Sequence, residues 1–492
     1  MAKFNTVENK VKQVKNRPNV TTNLAGGQAF KMDDETRLYT RVLTTLVSED
    51  KYYKKGDDHD KAITVNLKKV DPVFVAGLAV YARKVFNLRS IPVMLLAELA
   101  NVYRGTNLVG KAIETVIQRP DEMTELLAYR LNKYGRTIPQ QIKKGLARTF
   151  TKFDEYQLAK YNRSGDVKLK DVLFMVHPKP KDKEQDELWK RLINGEMKIP
   201  DTWETKISGK GSTKENWEEI LKSGNMGIMA VLRNLRNFVE KKVDLKPAIK
   251  LLTDKEIIHK SKQFPFRFFN AYMALEEINA PAEILDAVTD AMEYSVDNVP
   301  KLEGKTLVAV DDSGSMSSRL SDRGTAEYRH IAALLGAIYH KKNPYGTTIG
   351  KYSNDWELVT LNSRDSVLSN MRKLFGRGGT TNTYKVFDWV GRQKEQFDRI
   401  ILLSDMQSWD DGYSWYGGEN NVEESYIESK HRGYVYSIDL AGYGTSDIDT
   451  KNPKVIKLAG WNEKVFNYIQ KNEEDKSKVI EEIRTIGKDL ID

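Results

Sequence analysis

The chain has 492 residues, of which 40% are hydrophobic and 30% charged, enough apolar surface for substantial cores and too much for global disorder. At roughly 100–200 residues per domain, this length corresponds to two to four domains. With no cysteine and only six histidines, disulfides, thiolate zinc sites and a cysteine nucleophile are excluded, so any metal must sit on oxygen ligands.

The first residues, MAKFNTVENKVKQVKNRPN, lack the apolar stretch of a secretory signal, and no apolar run approaches the roughly 18 residues of a membrane span. A cytoplasmic protein without membrane contact is expected. The net charge of +9 is unevenly spread: residues 1–300 hold 51 Lys+Arg against 40 Asp+Glu, and residues 301–492 hold 27 against 29, giving +11 and −2. Residues 251–300 are net −5, which leaves +16 on the first 250. This distribution favours a polyanionic partner, with solvated lysine-rich helix faces as the plain alternative.

From Asp33 to about Val296, apolar residues recur at helical spacing, as in Leu38, Val42, Leu43 and Leu46, or Phe74, Leu78, Tyr81, Ala82 and Val85. Start signals accompany them: Asp71-Pro72 before VFVAGLAVYARKVF, Asp121 before EMTELLAYRLNKY, and Pro281 before AEILDAVTDAMEYSV. A dozen or more helices with short connectors are predicted, paired as an irregular HEAT-like solenoid without a fixed sequence period. Segments 178–186 (PKPKDKEQD) and 207–215 (ISGKGSTKE) are predicted as exposed loops.

The pattern changes near residue 300. Thr306–Val310, Arg399–Leu403 and Gly433–Ile438 are short β-branched or apolar runs, and helical patterns over 325–340, 366–375 and 384–396 alternate with them. Alternating strands and helices predict a doubly wound parallel sheet. The expected division is 1–300, all helical, and 301–492, α/β.

The first of these strands ends in Asp311-Asp312-Ser313-Gly314-Ser315, placing a carboxylate and two hydroxyls at alternate positions on a loop at the carboxyl edge of the sheet, where such folds bind ligands. Gly378-Gly379-Thr380-Thr381-Asn382-Thr383 supplies further hydroxyls, and the strand RIILLS runs into Asp405. Oxygen ligands of mixed charge suit Mg²⁺, which keeps near-octahedral geometry and leaves a position for water or an incoming anionic oxygen. Two competing readings are an ordinary serine-rich helix cap and a phospho-aspartate phosphatase loop. The cap does not explain Thr381 and Asp405 in order, and Ser313 stands where the phosphatase needs a second Asp. The set Asp311, Ser313, Ser315, Thr381 and Asp405 resembles the metal-ion-dependent adhesion site (MIDAS) of von Willebrand factor A domains. Thr381 is preferred over Thr380 because that family's Thr is usually followed by a polar and then a small residue, as in Asn382-Thr383.

A basic helical region followed by such an A domain resembles the Ro ribonucleoprotein family, whose helical part is the TROVE domain. Lys170–Pro180 (KDVLFMVHPKP), Met229–Leu235 (MAVLRNL) and Phe264–Arg267 (FPFR) are similar to that family's segments, and the likeness covers about 30–490, most strongly from 168 onward. It implies a ring of HEAT-like helical repeats whose ends the A domain joins. It also implies single-stranded 3′ ends of defective RNAs in a basic central hole, and a structured Y-like noncoding RNA outside. Lys168, Lys170, His177 and Lys179 match the outer-site segment, and Lys181 and Arg233 complete the candidate RNA-binding set. For the first group the alternative is a solvated helix and loop. Arg233 is read more readily as a brace between helices, and Asn234 as structural.

The segment Ser408–Asn421 follows Asp405. Its Trp409, Tyr413, Trp415 and Tyr416 offer rings for base stacking, but Asp410, Asp411 and Glu419 favour a loop packed on its own domain. With no histidine triad, Walker A loop or paired-carboxylate site, no catalytic residue is assigned and an enzyme is not expected. The expected function is an RNA-binding protein of the Ro type, a monomer with Mg²⁺ or another divalent cation as cofactor, in RNA quality control with a nuclease as a possible partner. The alternative is a metal-dependent protein-partner or adhesion module using the A-domain site.

Overall fold

Asp71 accepts a hydrogen bond from the Val73 amide at 3.1 Å, and Pro72 fills the first helical position, whose N–H would be unpaired in any case. The helix Pro72–Lys84 that begins there is buried on almost every face, from Phe74 to Arg83. The computed structural model describes residues 20–22, 28–30, 33–44, 58–162, 165–198, 200–320, 326–376, 378–408, 421–441, 447–448, 452, 454–459, 465–474 and 479–491. The chain forms two compact units: Asp34–Asn216 with Glu474–Asp492, and Trp217–Glu473 with the residues up to Asp33. The element type changes from helix to strand after Asn298, while the compact units part near residue 216.

In the first unit, helices pack both on the next helix in sequence and on the helix beyond it. Pro72–Lys84 lies against Ser90–Val102, and Leu108–Val116 lies against Gln140–Phe150. Arg83 and Glu122 form a buried ion pair at 2.7 Å, and the same Glu122 accepts the amides of Gln118 and Arg119, so both ends of a costly buried pair are satisfied. The carboxyl-terminal helix Val479–Asp489 returns to this unit and packs on Pro72–Lys84. A Cβ on Gly77 would lie 2.1 Å from the Ile483 carbonyl oxygen, and one on Gly487 would lie 2.2 Å from that of Val73. Only glycines permit this approach.

Both segments predicted as loops are partly helical. Asp182 accepts the Gln185 amide at 2.8 Å and starts a helix at Lys183, and Thr202 caps Trp203–Lys210. The predicted starting residue Asp121 lies one position inside its helix, which begins at Pro120.

In the second unit, the helices between Trp217 and Ser295, the first of them begun at Lys214, precede a six-stranded sheet. A small antiparallel pair, β1 (Val20–Thr22) and β2 (Gln28–Phe30), lies at the amino terminus. The sheet comprises β3 (Thr306–Asp311), β4 (Thr347–Tyr352), β5 (Trp356–Leu358), β6 (Arg399–Ser404), β7 (Tyr434–Asp439) and β8 (Val455–Ala459). Their order is β5-β4-β3-β6-β7-β8, parallel except for the edge strand β5. β3 and β6 are buried throughout, so their sequences read as continuous apolar runs. β4, β5 and β8 are additions to the three predicted strands, as are β1 and β2 in the part expected to be all helical. Because β4 and β6 flank β3 on opposite sides, the chain reverses direction of winding there, and the crevice between β3 and β6 is the topological switch point at which such sheets bind ligands.

Candidate metal centre and nucleic-acid interface

Asp311 is the last residue of β3 and Asp405 follows the end of β6, so the two central strands deliver both carboxylates to the switch point. Asp311 is fully buried; its Oδ1 accepts the Ser313 amide at 2.8 Å and its Oδ2 the Ser404 hydroxyl at 2.5 Å. Ser313 and Ser315 hydroxyls are 3.2 Å apart at the start of a short 3-10 turn, Gly314–Ser317. Asp405 is 2% exposed, and its Oδ1 is buried without a hydrogen-bond partner. The backbone turns sharply at Met406, which is buried at φ +56°, a conformation rarely adopted by a residue with a side chain, and which donates its amide to Ser404.

Thr381 is buried on the glycine-rich loop. That loop is tied to the Asp311 loop by the Gly314 amide, which donates to the Gly379 carbonyl at 2.9 Å, and by the Gly378 amide, which points at Asp312 Oδ2 at 3.4 Å. Asp311, Ser313, Ser315 and Asp405 are thus gathered at one sheet edge, with Thr381 on an adjoining loop. Sequence reasoning missed Ser404, Asp312 and Asn354, which brace the site; Ser404 and Asp312 adjoin motif residues, whereas Asn354 carries no motif.

Burial pushes the Asp311 carboxyl up to about 7, with repulsion from Asp405 adding to the shift and the Ser404 and Ser313 hydrogen bonds opposing it. Burial raises Asp405 as well, opposed by a hydrogen bond from Ser315. Two carboxylates forced together in a dry site, one with an unpartnered buried oxygen, are a poor arrangement for protons alone. With three hydroxyls close by, they have the donor chemistry of an oxygen-ligated Mg²⁺, and the residues fit such an ion. Among the described residues, no group of three or more His, Cys, Asp or Glu side chains is placed to hold a metal ion.

The candidate RNA residues Lys168, Lys170, His177, Lys179 and Lys181 are all exposed on the first unit, around the helix Leu169–Val176. That helix buries Leu169, Val172, Leu173 and Val176, and its entry is fixed by the Asp171 carboxylate accepting the Lys168 amide at 2.8 Å. His177 closes it in the left-handed region at φ +48°, turning the chain into the Lys179–Lys181 segment. Arg233 is exposed on the helix Ile228–Glu240 of the second unit, where Asn234 is buried and donates to the Ala230 carbonyl at 2.9 Å. Trp409, Tyr413, Trp415 and Tyr416, with their acidic neighbours, lie outside the described residues.

These observations define a class: a helical region joined to a doubly wound, largely parallel α/β domain. A TROVE domain is matched over residues 21–195 and 193–288, and the chain belongs to the TROVE-domain family of Ro proteins. It is similar to the RNA-binding protein RO60 of Deinococcus radiodurans, 21% identical over 450 residues that span 79% of this chain and 83% of that protein. Telomerase protein component 1 of Mus musculus is 24% identical over 302 residues, covering 44% of this chain. The match spans only 11% of the length of that telomerase component. The crystal structure of the Deinococcus radiodurans RO (RSR) protein has the same fold, with a TM-score of 0.66 at 15% identity over 93% of this chain and the whole of that one.

Proposed function

We propose that this chain is a non-enzymatic RNA-binding protein of the Ro type, acting in RNA quality control in the cytoplasm. The observation that carries this reading is the TROVE match, which takes in the net positive helical part of the chain and the exposed Lys168–Lys181 segment. Single-stranded 3′ ends of defective RNAs enter a basic hole in a ring of helices, and a structured Y-like RNA binds outside, at Lys168, Lys170, His177, Lys179 and Lys181. Lysine and arginine side chains neutralise phosphates, and each neutralised phosphate releases a counterion. Specificity arises from topology and from the shape of the RNA. Arg233, exposed on the helix Ile228–Glu240, completes the proposed RNA-binding set.

Asp311, Ser313, Ser315, Thr381 and Asp405 would hold Mg²⁺, which would supply a Lewis-acidic position for an anionic oxygen of a partner. The chain's own residues prepare the site: the Ser404 hydroxyl donates to one oxygen of Asp311 and accepts the Met406 amide, tying the turn after Asp405 to the end of β6. The unpartnered Asp405 oxygen is placed to take a cation, and a cation there would serve a second role, capture of an acidic side chain from a protein such as a nuclease, alongside RNA binding. Filter binding of a structured RNA with a single-stranded 3′ tail across a salt series tests the RNA reading. Log affinity is expected to fall with log salt by about 0.7 per neutralised phosphate on the single strand. No binding at low salt leaves the protein-partner reading in its place.

A further inference from the structure

The glycine-rich loop that carries Thr381 is held on its outer side by a residue that no motif marks. Asn354 sits in the turn between β4 and β5, where Tyr352 pairs with Trp356. Its Oδ1 accepts two hydrogen bonds from one residue, the Thr380 amide and the Thr380 hydroxyl, each at 2.8 Å. Its backbone carbonyl accepts from the Asn382 side-chain amide at 2.9 Å, and the preceding Ser353 carbonyl accepts the Asn382 backbone amide at 3.0 Å. The turn therefore grips the residues on both sides of Thr381. Gly379 makes room for the grip: at φ +141° it has a conformation that favours glycine, and a Cβ there would lie 2.5 Å from Asn354 Oδ1. On the other side, Gly379 accepts the Gly314 amide from the loop of Ser313 and Ser315. The turn is itself anchored, since Tyr352 accepts the Asp312 amide at 2.9 Å and Asp355 pairs with Lys385 at 3.2 Å.

We propose that Asn354 is a positioning residue of the metal centre, its side-chain oxygen fixing Thr380 and through it the approach of Thr381 to a divalent cation. The proposal rests on the reading of Asp311, Ser313, Ser315, Thr381 and Asp405 as cation ligands. Asn354 and Thr380 are both exposed, so the clamp adds little to the core, while Thr381 itself is buried. Its contribution is to hold one ligand arm in place before the ion arrives. Groups that orient metal ligands from outside the ligand set typically change affinity 10–100-fold when removed.

The test compares wild type, Asn354→Ala and Asn354→Asp in the full chain, by calorimetric titration with Mg²⁺ and by amide hydrogen exchange of residues 378–383. Asn354→Ala is expected to weaken Mg²⁺ binding by about tenfold, to speed exchange at Thr380, and to leave the melting temperature unchanged. Asn354→Asp keeps an oxygen facing Thr380 and is expected to restore Thr380 protection and at least wild-type affinity. Wild-type affinity in Asn354→Ala overturns the proposal, as does loss of affinity in both variants with Thr380 protection intact. A wild-type protein that takes no Mg²⁺ overturns the ligand reading beneath it. That outcome is told apart from failure of the clamp by the Thr380 exchange, which needs no metal.

Discussion

Asp311 and Asp405 place two acidic groups in a buried site, and the cost shows in Asp311, held at about 7 against an ordinary 3.8. Between those values the metal-free fold binds a proton that the unfolded chain has released. Stability from this group is therefore greatest below about pH 4, falls by up to about 1.4 kcal/mol per pH unit, and is level above about 7. Mg²⁺ requires the ionised form. Its affinity is expected to rise with pH up to about 7, and its binding at pH 6 to release close to one proton from Asp311. Calorimetry at pH 6 in two buffers of different ionisation heat measures the release; equal apparent heats in both contradict it. Asp311→Ala or Asp405→Ala is expected to abolish Mg²⁺ binding and leave the α/β domain folded, because each removes a desolvated carboxylate. Circular dichroism beside the Mg²⁺ titration checks both parts, and loss of the fold would make the metal structural.

At this scale, legibility followed locality. Asp311, Ser313 and Ser315 fall within five residues, and Asp405 follows an apolar run, so each is visible in the chain. Asn354 meets Thr380 from 26 residues away, a contact that only the β4–β5 turn creates. Lys457 illustrates the opposite error: hydropathy reads a lysine as surface, yet this one is buried in β8 and pushed down to about 8, chiefly by burial, with Asp439 and Asp447 opposing the shift.

Among the elements, the carboxyl-terminal helix Val479–Asp489 makes the most exacting contact, with Gly77 and Gly487 letting two backbones meet. Gly487→Ala inserts a methyl group where nothing can yield but backbone, and a loss on the order of 1–3 kcal/mol is expected. Thermal unfolding and amide exchange over 479–489 report it; wild-type values in both would contradict the close contact. The helix Leu169–Val176 makes a contrasting case, since its buried residues are separate from the exposed lysines around it. Replacing Lys168, Lys170 and Lys179 together by Ala is expected to leave stability unchanged. It should weaken a structured noncoding RNA more than a single-stranded tail. Equal losses in filter binding would mean one continuous basic surface for both RNAs.

Strands β3 and β6 were legible because both faces are buried and their sequences are unbroken apolar runs. β4 was hidden by Gly350 and Lys351 in TTIGKY, where the glycine admits β5: a Cβ at Gly350 would meet the Glu357 carbonyl oxygen at 2.5 Å. The helix beginning at Lys183 looked like a loop because its first turn is charged, yet acidic residues such as Glu184 and Asp186 favour a helix amino terminus.

For the whole molecule, the helix-to-strand change near residue 300 was legible as a change of hydrophobic period. The compact units, which part near residue 216 and reunite the carboxyl-terminal helix with Pro72–Lys84, depend on packing between distant segments that no local period records. The proposed function is likewise a property of the whole chain: a closed ring admits a strand only by its end, whereas an open basic groove accepts any polyanion. The most direct measurement compares three RNAs across a salt series: a linear RNA with a single-stranded 3′ tail, the same RNA blunt-ended, and a covalent circle carrying the tail sequence. The tailed RNA is expected to bind most tightly, with the salt slope of single-strand phosphate contacts, and the blunt and circular forms to bind weakly. A circle bound as tightly as the tailed RNA at every salt concentration would contradict entry by a free end.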